Sequence, residues 1–237
     1  MVVLLAVAGG VGGWVLAPPV SDAQQRVQAF LAGQHANVLV GPVPAKYATA
    51  LIATEDSRFY DHHGIDTMGI VRGAGGFIGG SEQGGSTLDQ QLAKTLYSNG
   101  NRAPTDIVAQ VILGAKLDAS YPKAQILQMY AQVAYFGAGF YGLQDAACGY
   151  FNVAPQQLTW SQASLLAGLP QAPSAYNPLT APGLAALRQR HVLDRLVATG
   201  ALTQAEVDTI TPDSWHLVTA RAAPAAGCPR NGPVGGA

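Results

Sequence analysis

Glu55 and Asp56 stand side by side in the stretch Ala53-Thr54-Glu55-Asp56-Ser57-Arg58-Phe59-Tyr60-Asp61-His62-His63-Gly64, which also carries an arginine and two histidines. Only 11% of the chain is charged, so this crowding marks the stretch as a candidate reactive centre. A carboxylate whose protonation is set by neighbouring charges can serve as a general base, drawing a proton from a hydroxyl as that hydroxyl attacks. The same residues also fit a plainer reading, a helix end neutralised by its own Arg58. A second group follows in Gly84-Gly85-Ser86-Thr87-Leu88-Asp89-Gln90-Gln91-Leu92-Ala93-Lys94. Gln90, Gln91 and Lys94 fall within about one helical turn, so Lys94 could hold a phosphate while the amides take sugar hydroxyls. An ordinary solvated helix face fits that segment too.

The elements that must position these groups are mostly helices. Tyr47, Ala50, Leu51 and Thr54 recur at helical spacing, which places Glu55 and Asp56 near the end of an amphipathic helix that breaks towards Gly64. Thr87 with Gln90 three residues on has capping-box form, so the glycines before it lead into a helix N-terminus whose free N–H groups and positive dipole end suit an anion. Between these segments, Gly73 to Gly85 carries seven glycines and reads as a mobile loop, either a lid over substrate or simple surface slack. Helices are also expected over Asp22 to Gly33, from Asp66 to Val71, and over Thr105 to Asp118 with Val108, Val111, Ile112 and Ala115 as the buried face. Further helices are expected over Lys123 to Val133, Leu143 to Phe151, Ser161 to Leu169 and Leu184 to Thr199. A second capping box at Thr203 to Glu206 opens a last small one. Tyr135 to Gly142 is an aromatic and glycine turn, suited to a sugar platform or to helix packing. Strand signals are scarce, so the fold class is mainly α.

With 237 residues, 49% hydrophobic, the chain can bury a real core. Its 13 basic and 14 acidic residues give a formal net charge of −1, which argues against a nucleic-acid partner and leaves any phosphate to be held locally. Met1 to Ser21 has no charged side chain and approaches the ~20 apolar residues that a membrane-spanning helix needs before Pro18-Pro19 stops it. It reads as a transmembrane anchor or a signal segment (1–21), followed by the main domain (22–212) and a loosely ordered tail rich in Ala, Pro and Gly (213–237). The two cysteines, Cys148 and Cys228, form no metal-ligand pattern, and spacing alone leaves them bonded or free.

Four motifs in order carry a resemblance: Glu55-Asp56-x-x-Phe59-x-x-His62-x-Gly64; Gly85-Ser86-Thr87-x-x-Gln90-Gln91-Leu92-Ala93-Lys94; Tyr135-Phe136-Gly137 with Tyr141-Gly142; and Leu165-Leu166-Ala167-Gly168-Leu169-Pro170-Gln171-Ala172-Pro173-Ser174 with Tyr176-Asn177-Pro178. From about Pro44 to Asp208 the chain resembles family 51 glycosyltransferases of the monofunctional type, the transglycosylase domains also found in penicillin-binding proteins. The resemblance implies a lysozyme-like, two-lobed helical domain with an N-terminal membrane helix. It implies polymerisation of lipid II into peptidoglycan strands outside the cytoplasmic membrane, with inversion at the anomeric carbon and undecaprenyl diphosphate leaving. A divalent cation, Mg or Mn, is implied as a helper, with no organic cofactor. The implied partners are lipid II, the nascent glycan strand, the membrane, and a transpeptidase or divisome protein.

By the same resemblance Glu55 is the general base, supported by Asp56, Phe59 and His62, while Ser86, Thr87, Gln90, Gln91 and Lys94 bind substrate and the departing diphosphate. The sequence departs from the family pattern on the next helix. Counting back without gaps puts Asp106-Ile107 where an Arg-Lys pair is usual and Gln110 where a second catalytic glutamate is usual. Asp89 takes the place of a threonine, and Gln128 and Gln132 replace Glu and Asn. Gln110 can hydrogen-bond a phosphate or hydroxyl but cannot titrate as a carboxylate does. A catalytically weakened or inactive relative that binds lipid II or cell-wall synthesis partners is therefore the alternative expectation.

Overall fold

The structure, a computed structural model, describes residues 13–68, 86–98, 104–210, 212–218 and 225–228. Its helices are α1 (Ala23–Gln34), α2 (Ala45–Glu55), α3 (Leu88–Tyr97), α4 (Pro104–Ser120), α5 (Lys123–Val133), α6 (Gly142–Phe151), α7 (Trp160–Gly168), α8 (Pro182–Ala198) and the short α9 (Gln204–Asp208), with 3₁₀ turns at Pro155–Gln157, Leu169–Gln171 and Pro212–Trp215. Pairing of the strand kind among the described residues is limited to one isolated bridge between Tyr135 and Tyr141, so the mainly α expectation holds. Among the described residues no helix is long and apolar enough to cross a membrane, and Met1 to Gly12 of the expected anchor lie outside them. So do the glycine loop from Gly73 to Gly85 and the end of the helix expected from Asp66.

The chain divides into two compact units, one of Met1–Val27 with Arg58–Met129 and one of Gln28–Ser57 with Tyr130–Ala237. In the first, α3 and α4 pack closely because Gly114 has no side chain: a Cβ there would lie 2.9 Å from Gln90 Cγ and 3.1 Å from its backbone nitrogen. The apolar core beneath includes Phe59, Leu88, Leu92, Leu113, Leu117 and Ile126. The buried face of α4 differs from the expected one. Val108 is 61% exposed, and Leu113, Gly114 and Leu117 are buried instead. Ile107, Val108, Val111, Ile112, Leu113 and Leu117 wrap α4 in apolar surface nearly all round, so periodicity selects no face and the close approach at Gly114 decides it.

In the second unit, α2, α7 and α8 share a core of Tyr47, Leu51, Leu165, Leu166, Val192 and Leu196, each nearly inaccessible and worth about 1.5–3 kcal/mol when an aliphatic side chain is fully buried. Local chemistry sets the ends of these helices. Thr159 and Gln162 form a reciprocal capping box at the start of α7, and Thr203 and Glu206 form the one expected at α9. The segment past Pro212 is anchored to this unit at several points. Trp215 is 3% exposed, its indole N–H donates to Gln189 Oε1 at 2.8 Å, and Gln162 donates to its carbonyl. Val218 N–H donates to the Tyr150 carbonyl, and Cys228 is disulfide-bonded to Cys148 on α6.

Gly64 in the first unit has φ +74°, and a Cβ there would meet Ala115 Cα at 2.6 Å and the Gly114 carbonyl oxygen at 2.8 Å. Both the backbone conformation and the space exclude a side chain, so Gly64→Ala is expected to lower unfolding free energy by about 2–4 kcal/mol in urea denaturation. An unchanged midpoint would contradict this packing.

Candidate functional site

Glu55 is the last residue of α2, and Asp56 closes the helix by donating its backbone N–H to the Ile52 carbonyl. The chain turns away there with Asp56 at φ −155°, which leaves the Glu55 side chain at the end of the helix, 14% exposed. Its Oε1 accepts a hydrogen bond of 3.0 Å from the Arg188 guanidinium of α8, whose side chain is 4% exposed. Two phenols lie within the electrostatic reach of Glu55. Burial, and then the charge of Glu55, pushes the Tyr47 and Tyr130 phenols far above their usual range, so both stay protonated. The Tyr47 hydroxyl has no hydrogen-bond partner among the described residues. The second unit thus surrounds one carboxylate with a buried guanidinium and neutral aromatic groups.

The first unit builds a different cluster. Phe59 is fully buried, and Lys123 Nζ lies 4.5 Å from its ring centroid. The same ammonium pairs with Asp118 at 2.6 Å and with Asp89 at 3.2 Å, and lies 3.5 Å from His62 Nδ1. Burial pushes the Asp89 carboxyl up, opposed by Lys123 and then by His62. At the start of α3, the Thr87 hydroxyl accepts from Gln90 N–H and donates to the Gly64 carbonyl at 2.9 Å. The Gln90 side chain also turns to Gly64, donating to its carbonyl at 3.4 Å, rather than back to the cap backbone as a capping box would have it. Ser86 is exposed and donates to Gln90 Oε1.

Of the residues expected at the site, Phe59, His62, Ser86, Thr87, Gln90, Gln91, Lys94 and Gln110 therefore belong to the first unit, and Glu55 and Asp56 to the second. Gln91, Lys94 and Gln110 are half-buried. Arg188, Tyr47 and Tyr130 fall outside the residues that the sequence marks for the site. Arg188 stands 133 residues from Glu55, beyond any sequence window. One signal was present: Ala185, Arg188 and Val192 recur at buried-face spacing on α8, and a cation on an apolar stripe requires a partner.

Residues 24–197 match the model of the transglycosylase family. The chain belongs to that family. Relatives of this transglycosylase domain include penicillin-binding protein 1A of Neisseria flavescens, 40% identical over 169 residues that make up 70% of this chain and 21% of the relative. A Cupriavidus necator protein provisionally named a transglycosylase is 36% identical over 211 residues, 86% of this chain and 91% of that protein. This domain spans about a fifth of the length of the penicillin-binding protein relatives it matches. A crystal structure of penicillin-binding protein 1A from Haemophilus influenzae is also similar, at 27% identity over 51% of this chain and 15% of that one, but with a TM-score of 0.35 it carries no argument about the fold.

The buried Tyr47 hydroxyl leads to a stability prediction. A polar atom left without a partner in a core costs about 1–3 kcal/mol. Tyr47→Phe should accordingly leave the thermal midpoint unchanged or raise it, and a clear drop would show that the hydroxyl is bonded.

Proposed function

We propose that this transglycosylase domain polymerises lipid II into peptidoglycan strands, with Glu55 as general base. A hydroxyl of the acceptor sugar attacks the anomeric carbon of the donor. Its proton passes to Glu55 as the new C–O bond forms, and the bond to the diphosphate breaks with its electron pair leaving on the undecaprenyl diphosphate. The carbon is attacked on the face opposite the leaving group, so its configuration inverts. Negative charge grows on the diphosphate as it departs, which calls for cations and N–H donors placed to meet it. In this reading Lys94 and the Ser86-Thr87-Gln90-Gln91 start of α3 supply them, by resemblance to the family motif. Asp56, Phe59 and His62 keep their supporting roles.

The observation that carries the reading is a glutamate at a helix end, 14% exposed, with a buried guanidinium on one oxygen, in a chain of the transglycosylase family. The Cys148–Cys228 disulfide supports placement on the extracytoplasmic side of the membrane, because such bonds persist in oxidising compartments. Within the first unit, Asp89 and Asp118 both pair with the Lys123 ammonium, while His62 and Asp89 are also donor types that a divalent cation takes. No step here depends on such an ion.

A second reading is a relative that binds lipid II or a synthesis partner without turnover. It is favoured by α4, where, by the resemblance and a gap-free count, the exposed Ile107 falls where a cation is usual and Gln110 where a carboxylate is usual. The two readings separate with purified full chain in detergent, labelled lipid II and a divalent cation. Glycan polymer is expected from the wild type, and Glu55→Gln, whose amide oxygen can still accept from Arg188, should slow it by about 10²–10⁴-fold. Lipid II binding without polymer would overturn the first reading in favour of the second.

A further inference from the structure

Helix α8 carries two arginines seven residues apart on one face, and both reach the end of α2. Arg188 donates to Glu55 Oε1 at 3.0 Å, and Arg195 Nε donates to the Ala53 carbonyl at 3.1 Å. Ala53 and Glu55 belong to the last turn of α2, where carbonyls lack intrahelical partners and the dipole favours cations. Arg188 is fixed from its other side as well. Its Nε donates to the Gly168 carbonyl at the end of α7 at 3.1 Å, and its guanidinium carbon lies 5.9 Å from the Tyr176 ring centroid.

The path of the Arg188 stem depends on Gly168. A Cβ at that glycine would lie 2.9 Å from Arg188 Cγ and 3.2 Å from Val192 Cγ2, so only glycine lets α8 approach α7 closely enough for the guanidinium to reach Glu55. Gly168 keeps an ordinary backbone conformation, with φ −82°, so the requirement is one of space.

We propose that Arg188 is the positioning residue of the general base, with Arg195 and Gly168 fixing the frame in which it works. A planar guanidinium anchored to a backbone carbonyl through Nε holds the Glu55 carboxylate in one orientation, which a lysine on a flexible stem would do less well. This rests on the reading of Glu55 as base, and it adds that α8, 133 residues further along the chain, sets the direction in which the base points.

The test uses the full chain in detergent with lipid II, comparing Arg188→Met, Arg188→Lys and wild type. Arg188→Met should lower kcat by about 10²-fold, the scale of a small misplacement of a reacting group, with KM within about threefold of wild type. Arg188→Lys should recover part of that loss. The chain has three glutamates, Glu55, Glu82 and Glu206, so ¹³C-labelled glutamate resolves the Glu55 carboxyl resonance, assigned with Glu55→Gln. That resonance should move in Arg188→Lys, and in Arg188→Met where the variant folds. Should Arg188→Met not fold, Arg188→Lys decides: kcat equal to wild type with the resonance unmoved overturns the proposal. A wild type without turnover would defeat the reading of Glu55 as base instead, and the resonance would still report whether Arg188 holds that carboxylate.

Discussion

The contact between Glu55 and Arg188 brings two opposite charges together where water barely reaches, with side chains 14% and 4% exposed. Removing charges from water costs several kcal/mol for each ion, and their mutual attraction offsets this only where geometry and further hydrogen bonds are good. The second unit meets that condition through its helix ends. Arg188 is bonded to the carbonyl that closes α7, Arg195 to a carbonyl near the end of α2, and Gly168 leaves room for the arginine stem. Packing of α2, α7 and α8 and orientation of the carboxylate are therefore one problem with one solution. A change that loosens α8 reaches Glu55 directly.

The first unit answers a similar electrostatic demand with an ammonium. Lys123 gathers Asp89, Asp118, His62 and the face of Phe59 around a single charge. Asp89 is wholly buried and contributes a carboxylate to that cluster. Its burial opposes ionisation and Lys123 favours it, so the cluster balances desolvation against attraction as the Glu55 pair does. The residues around Gly64 belong to the same frame. Thr87 and Gln90 hold its carbonyl, which ties the His62-His63-Gly64 turn to the start of α3.

Much of this was legible in the sequence because local rules governed it. Helical spacing placed Glu55 and Asp56 near the end of α2, Thr87 marked the start of α3, and Thr203 with Glu206 marked α9. The four motifs named the family, which the match over residues 24–197 then showed. What stayed hidden depended on contacts between distant segments. Arg188 finds Glu55 only when α8 packs on α2, and the buried face of α4 is chosen by Gly114 against Gln90, where an apolar helix offers several faces. The pairing of Cys148 with Cys228, 80 residues apart, likewise needed the chain beyond Pro212 brought back to α6.

A double-mutant cycle on unfolding free energy, using Glu55→Leu, Arg188→Met and the pair together, tests most directly whether this contact organises the second unit. If it does, each single change leaves a buried charge without its partner and costs about 3–5 kcal/mol. The double variant should then lose less than the sum of the two by at least ~1.5 kcal/mol, the scale of a charged hydrogen bond. Losses that add to within about 0.5 kcal/mol would mean that the two residues act independently, and the account of a base held by α8 would be contradicted.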